Sequence, residues 1–373
     1  MKDIRIEQLA EMLLRDSLGM KAGETLLIKS GAEANPLNKA LLRAAKKMGL
    51  YPLINLCDDE LERMFYDCID GDDPEKMKSQ IEAHSNWELQ MWNSIDAHVD
   101  VGIDTNDAEL SAVDSRSFTY FRSLRKEIQT VKIDKKKWVY LHWPTYADAQ
   151  KAGMCYDDFF EFFLRAAIVD YEAMSRSMKP LVALMEKTDR VEIKGPGTDI
   201  SFSIKGIPVV PCDGHMNIPD GEVYTAPVKD SVNGVIQYNT PACRYGKRFL
   251  NPRLVFKDGR IIEASCDNDT AGFNEMLNAD EGARYLGEFA IGVNNAVTVP
   301  VGNTLYDEKI GGSFHLTPGC SYEDAYNGNT SQLHLDIVCI QTAPFGGGEM
   351  FFDGKLIRKD GLFVTDDLKG LNP

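Results

Sequence analysis

The chain has 373 residues, 43% hydrophobic and 26% charged, which suits a globular protein with room for two cores. Its formal net charge of −16 argues against nucleic acid and anionic membranes as partners, since either needs a basic face. No apolar run approaches the ~18 residues of a transmembrane span, and the N-terminus lacks a signal-peptide core. The eight cysteines (Cys57, Cys68, Cys155, Cys212, Cys243, Cys266, Cys320, Cys339) are scattered without a CxxC pair, which makes a reducing cytoplasm the expected location.

In chain order, Met1 to Leu18 has the periodicity of an amphipathic helix, with Ile6, Leu9, Leu13 and Leu14 on one face. Glu24 to Lys29 predicts a strand. Pro36 to Met48 predicts a helix, with Asn35 as its cap, Pro36 in its first position and Gly49 closing it. Tyr51 to Leu56 predicts another strand, and a helix should start near Asp58. Ala97 to Ile103 and Trp138 to His142 continue the strand series, and Phe159 to Met174 has the pattern of one long helix. Strands separated by helices predict an α/β N-terminal domain, residues 1–187, built on a mainly parallel sheet. No glycine-rich nucleotide fingerprint follows any of these strands.

From about Arg190 the texture changes to short strands and tight turns. Gly195-Pro196-Gly197 separates two short strands, Asp258-Gly259 marks a hairpin, and Asp353-Gly354 and Asp360-Gly361 repeat that chemistry. One helix should interrupt around Ala271 to Leu277. The expected second domain, residues 188–373, is therefore α+β and strand-rich.

Chemistry-bearing residues gather in this second half. Leu333 to Ile340 (LHLDIVCI) predicts a buried strand, on which His334 and Asp336 would share a face. Alone, the pair reads first as a hydrogen bond that ties down a loop, and only second as a metal site. Glu288 lies inside the apolar segment Leu286 to Val293, where an uncompensated charge is costly. Glu222 follows a Pro219-Asp220-Gly221 turn, and His315 follows a glycine pair. Each has an ordinary structural reading. Together, imidazoles and carboxylates on strand ends of one domain match a mixed N/O site for zinc, cobalt or manganese. Five or six such ligands exceed the needs of one tetrahedral ion, so two divalent metal ions sharing a carboxylate are the economical account. His84, His98 and His142 have no companion carboxylate at ligand spacing, and His215 sits in a turn-rich loop.

The segments GPGTDISFSIKG (195–206), NIPDGEVYTAPV (217–228), DEGARYLGEFAIGVN (280–294), LYDEKIGGSFHL (305–316) and HLDIV (334–338) resemble, in order, the aminopeptidase T family of cytoplasmic dinuclear metallo-aminopeptidases; WPTYADAQKAGM (143–154) is similar too. The resemblance implies an α/β N-terminal part, a C-terminal catalytic part and a homodimer that cleaves short peptides. It implies Glu222, Glu288, Glu308, His315, His334 and Asp336 as metal ligands. Glu288 or another site carboxylate would serve as proton acceptor, and Tyr322 would stabilise the oxyanion. The short acidic loop Cys320 to Gln332 departs from the family's pattern, which puts substrate preference in doubt. Two alternatives share the ligand set: another metal-dependent amidase or esterase, and a catalytically silent binding protein with the same fold.

Overall fold

The structure, a computed structural model, describes residues 3–113, 115–244 and 246–373. It divides into two compact units, Met1–Ile168 with His215–Ile218, and Val169–Gly214 with Pro219–Pro373.

The first unit is built on five strands in the order Tyr51–Leu56, Thr25–Ser30, Ala97–Gly102, Lys137–His142 and Asn217–Ile218, every pair parallel. The expected parallel α/β domain is therefore present. The Asn35–Met48 helix buries Leu37, Ala40, Leu41, Ala44 and Ala45, and Gly49 ends it with φ 72°, a left-handed conformation that glycine adopts without strain. Asn35 does not cap this helix. A 3₁₀ turn, Ala32–Ala34, runs straight into it, so Asn35 is already helical. At the N-terminus the helix Ile4–Met12 continues as a π-helical turn, Leu13–Ser17, while Met1 and Lys2 lie outside the described residues. Asp58 caps the Asp59–Asp67 helix as the sequence suggests, its carboxylate accepting from the Leu61 amide at 2.9 Å.

The single helix expected from Phe159 to Met174 is two. Tyr156–Ala167 ends at Ile168, and Tyr171–Met185 begins again with the Asp170 carboxylate accepting from the Ala173 amide. That N-cap signal, hidden in an apolar run, wins over the periodicity. The second helix packs Met178, Leu181 and Met185 into the core of the second unit.

That unit contains an eight-stranded and a five-stranded sheet. The hairpins are where the Asp-Gly pairs placed them; Asp258, Asp353 and Asp360 all take φ 48°, followed by glycines with φ 77–82°. The five-stranded sheet has the order Ile337–Ile340, Ser313–Pro318, Leu286–Gly292, Glu222–Thr225, Val210–Cys212, all antiparallel. One of its faces contributes Val223, Phe289, Ile291, Phe314, Leu316 and Ile337 to a core shared with Phe202, Ile236, Leu254 and Met350 of the other sheet. Side chains alternate across a strand, so Glu222, Glu288 and His315 point away from this core.

Candidate metal centre

Three neighbouring strands present Glu222, Glu288 and His315 on one face: Glu222 pairs with Gly292 across the sheet, and Ala290 pairs with both Tyr224 and His315. Gly292 and Ala290 are small, which leaves space over the middle strand. At Gly292 the Glu308–Ile310 segment comes down onto the sheet, where a Cβ would run into the Ile310 carbonyl. Main-chain bonds fix that approach, Asn294 N to Lys309 O at 3.0 Å and Gly311 N to Asn294 O at 3.1 Å. Glu308 reaches the face by this route, from outside the sheet.

His334 and Asp336 arrive differently from the expectation. The last strand begins only at Ile337; His334 makes a single bridge to Gly319, and Asp336 lies in the run-in. They nevertheless meet, with His334 Nε2 3.2 Å from Asp336 Oδ1. His334 is oriented by its Nδ1–H, which donates to the Cys320 carbonyl at 2.9 Å, and Asp336 by the Thr317 hydroxyl, which donates at 2.7 Å. A backbone acceptor on Nδ1 leaves Nε2 free to act as a donor atom.

Glu288 sits between the two histidines, with Oε1 3.0 Å from His315 Nε2 and Oε2 3.3 Å from His334 Nε2. Three overlapping groups result: Glu222 with Glu288 and His315, Glu288 with His334 and Asp336, and Glu308 with His315 and Asp336; within each, donor atoms lie no more than 4.8 Å apart. All six residues named from the sequence thus converge. Tyr322 is half-exposed at the margin, its ring 4.6 Å from that of His334 and 5.8 Å from that of Tyr224.

Buried charge governs protonation here. Burial alone would raise Glu288, but hydrogen bonds from His315 and His334 hold it below the usual carboxylate range. Burial would lower His315; Glu288 and Glu222 instead push it up to about 9. His334 is raised well above its ordinary value against burial, chiefly by Asp336, which is itself driven far down by His334. Burial lifts Glu308 to about 7. It also pushes the Tyr322 phenol well up, so that the group stays a hydroxyl donor.

Sequence reading missed Lys309, which is completely buried. Its Nζ lies 2.6 Å from Glu222 Oε1, 2.8 Å from Glu308 Oε1 and 3.5 Å from Asp220 Oδ1. The available signal was its position, between an acid and the apolar-glycine run Ile310-Gly311-Gly312. The first unit also holds a group the sequence reading denied: His142 Nε2 is 3.0 Å from Asp148 Oδ2, near Asp104. There the Lys151 ammonium sits 3.2 Å from Asp148 and 2.9 Å from Asp107, so the acids already have a cation.

The second-unit cluster suits metal. Among the described residues, the buried Glu222 Oε2 has no hydrogen-bond partner, an expensive arrangement without a ligand. Hard carboxylate oxygens with borderline imidazole nitrogens are a donor set for divalent first-row ions. Fold and donor set together fit a divalent-metal enzyme, with the donor cluster on the face of the sheet turned away from the core. The chain belongs to the thermophilic metalloprotease (M29) family, whose model matches residues 2–344. It is 23% identical to "Aminopeptidase 2" of Geobacillus stearothermophilus over 95% of this chain and 94% of that protein. To "Aminopeptidase T" of Thermus thermophilus it is 27% identical, over 50% of each chain. Wild-type AmpT from Thermus thermophilus has the same fold, with a TM-score of 0.80 at 20% identity, over 97% of this chain and 99% of that one.

Proposed function

We propose that this protein is a metal-dependent aminopeptidase that hydrolyses the N-terminal bond of short peptides, with Glu222, Glu288, Glu308, His315, His334 and Asp336 holding two divalent ions. Membership of a metalloprotease family and aminopeptidase relatives along nearly the whole chain support the activity. The observation that carries the site is Glu288, whose two oxygens face two different histidines, as a carboxylate shared between two ions requires. The charge argument agrees: the four carboxylates of the set carry four formal negative charges, which two divalent ions neutralise.

Bound there, zinc, cobalt or manganese ions would supply Lewis acidity to a water molecule and to the scissile carbonyl. The chain's own residues supply the rest. Both Glu288 oxygens are engaged by histidines, whereas Glu308 commits only Oε1, to Lys309. In this reading the proton acceptor is Glu288 or another carboxylate of the site. Tyr322 keeps its proton and can donate to a developing oxyanion, a contribution of ~3 kcal/mol per donor. The protein works in the cytoplasm as a homodimer in this reading.

The test is metal analysis joined to a substrate panel of peptides, aminoacyl amides and esters. Two equivalents of metal with cleavage of free N-terminal peptides are expected. Ester turnover without peptide cleavage, or no metal and no activation by added zinc, cobalt or manganese, would overturn the assignment.

A further inference from the structure

We infer that Lys309 is a positioning residue that restricts Glu222 and Glu308 to one oxygen each toward the metals, and so sets the spacing of the two-ion centre. The inference rests on the dinuclear reading above and deepens it.

Lys309 Nζ takes Oε1 of both glutamates, at 2.6 and 2.8 Å. Glu222 Oε2 is left buried and without a partner, 3.7 Å from His315 Nε2. The two glutamates belong to different donor groups, Glu222 with Glu288 and His315, Glu308 with His315 and Asp336. One ammonium therefore ties together carboxylates from two of the three donor groups. A carboxylate with both oxygens free can chelate an ion; with one oxygen held it offers a single bond in a fixed direction.

The lysine cannot easily move away. Its side chain is fully buried, its amide donates to the Tyr306 carbonyl at 3.1 Å, and its carbonyl accepts from Asn294 at 3.0 Å. A simpler role, neutralising Asp220, fits the distances less well. Asp220 is the most distant of the three acids at 3.5 Å, and its carboxylate already accepts amides from Gly214 at 2.8 Å and Gly221 at 3.0 Å.

The experiment compares wild type, Lys309→Met and the charge-balanced double variant Asp220→Asn/Lys309→Met. Metal-free protein is titrated with cobalt(II) by visible absorption and calorimetry, and kcat and KM are measured on a dipeptide amide. Wild type should bind two equivalents; if it binds none, the dinuclear reading fails and not this one alone. With Lys309 gone, released oxygens raise the coordination number, so the cobalt bands should weaken and shift. Then kcat should fall about tenfold to a hundredfold, the range for losing a group that orients metal ligands, with KM within about threefold. The double variant guards against misfolding of the single one by keeping the net charge of the buried cluster unchanged, since one of the three acids near the lysine is removed with it. A double variant with wild-type spectrum and kcat overturns the proposal, and so does one that cannot fold, because Lys309 would then serve folding.

Discussion

His315 and Glu288 meet across two antiparallel strands, Nε2 3.0 Å from Oε1, although 27 residues separate them in sequence. Neither strand is a loop that a ligand must order. The contact exists because the strand register puts both side chains on the face opposite the core, so the sheet itself sets this pair.

Glu288→Gln tests that centre most directly. An amide would keep the volume but present an NH₂ to one of the two histidines, and one ion should lose its shared ligand. Metal content should drop from two equivalents toward one and kcat/KM by at least about a hundredfold, read by elemental analysis and peptide hydrolysis. Full stoichiometry with full activity would sink the bridging role.

Metal affinity should climb with pH. In the metal-free protein His315 titrates at about 9, lifted by Glu288 and Glu222 over the opposing effect of burial, so at pH 7 it carries a proton that an ion must displace. Raising pH removes that competitor. Affinity should rise roughly tenfold per pH unit per displaced proton, up to about pH 9 for His315, with a second proton displaced from His334, which is also raised well above its ordinary value. Calorimetry in buffers of different ionisation enthalpy should register the released proton; a pH-independent affinity between 6 and 9 would contradict the protonated imidazole.

Tyr322→Phe removes a hydroxyl and leaves the ring against His334. Loss of one oxyanion donor predicts a fall in kcat of about a hundredfold or more with metal content unchanged. If kcat holds within threefold, Tyr322 is only a wall.

Gly292→Ala forces the Glu308–Ile310 segment off the sheet, since the new methyl meets the Ile310 carbonyl and comes close to Ser313 Oγ. The expected cost is about 1–3 kcal/mol, seen in denaturant melts, together with weakened metal binding as Glu308 withdraws.

In the first unit, His98 is buried behind Trp92, with its ring 4.8 Å from the indole. Burial, helped by the nearby Lys132 ammonium, pushes it down to about 4 from an unfolded value near 6.5. A depressed histidine contributes its stability above the unfolded value and loses it as protons bind the unfolded chain. Acidification from about 6.5 to 4 should therefore remove on the order of 3 kcal/mol, a slope that His98→Gln should flatten in pH-dependent melts.

How much of this was legible depends on the kind of signal. Glu288 stood out because a carboxylate inside LGEFAIGV contradicts its flanks, and the Asp-Gly hairpins follow from local turn chemistry. The parallel sheet likewise follows from strands spaced by helices. By contrast, the strand expected from Leu333 begins only at Ile337, four residues later, because apolar composition does not say where ladder pairing stops. Lys309 was invisible for a related reason. Its burial depends on acids at Asp220 and Glu222, nearly ninety residues upstream, and no local pattern reports a partner that distant. The break at Ile168–Asp170 was masked by an apolar run in which only the capping aspartate gave it away.

The six residues of the centre are scattered from Glu222 to Asp336, and no two of the strands carrying them are joined by a short hairpin. A contiguous peptide bearing HLD could therefore not trap an ion as a zinc finger does. Closure of these long loops must come first. During synthesis the chain would have to emerge past Asp336 before the full donor set could assemble, so in this reading metal loading follows folding rather than starting it.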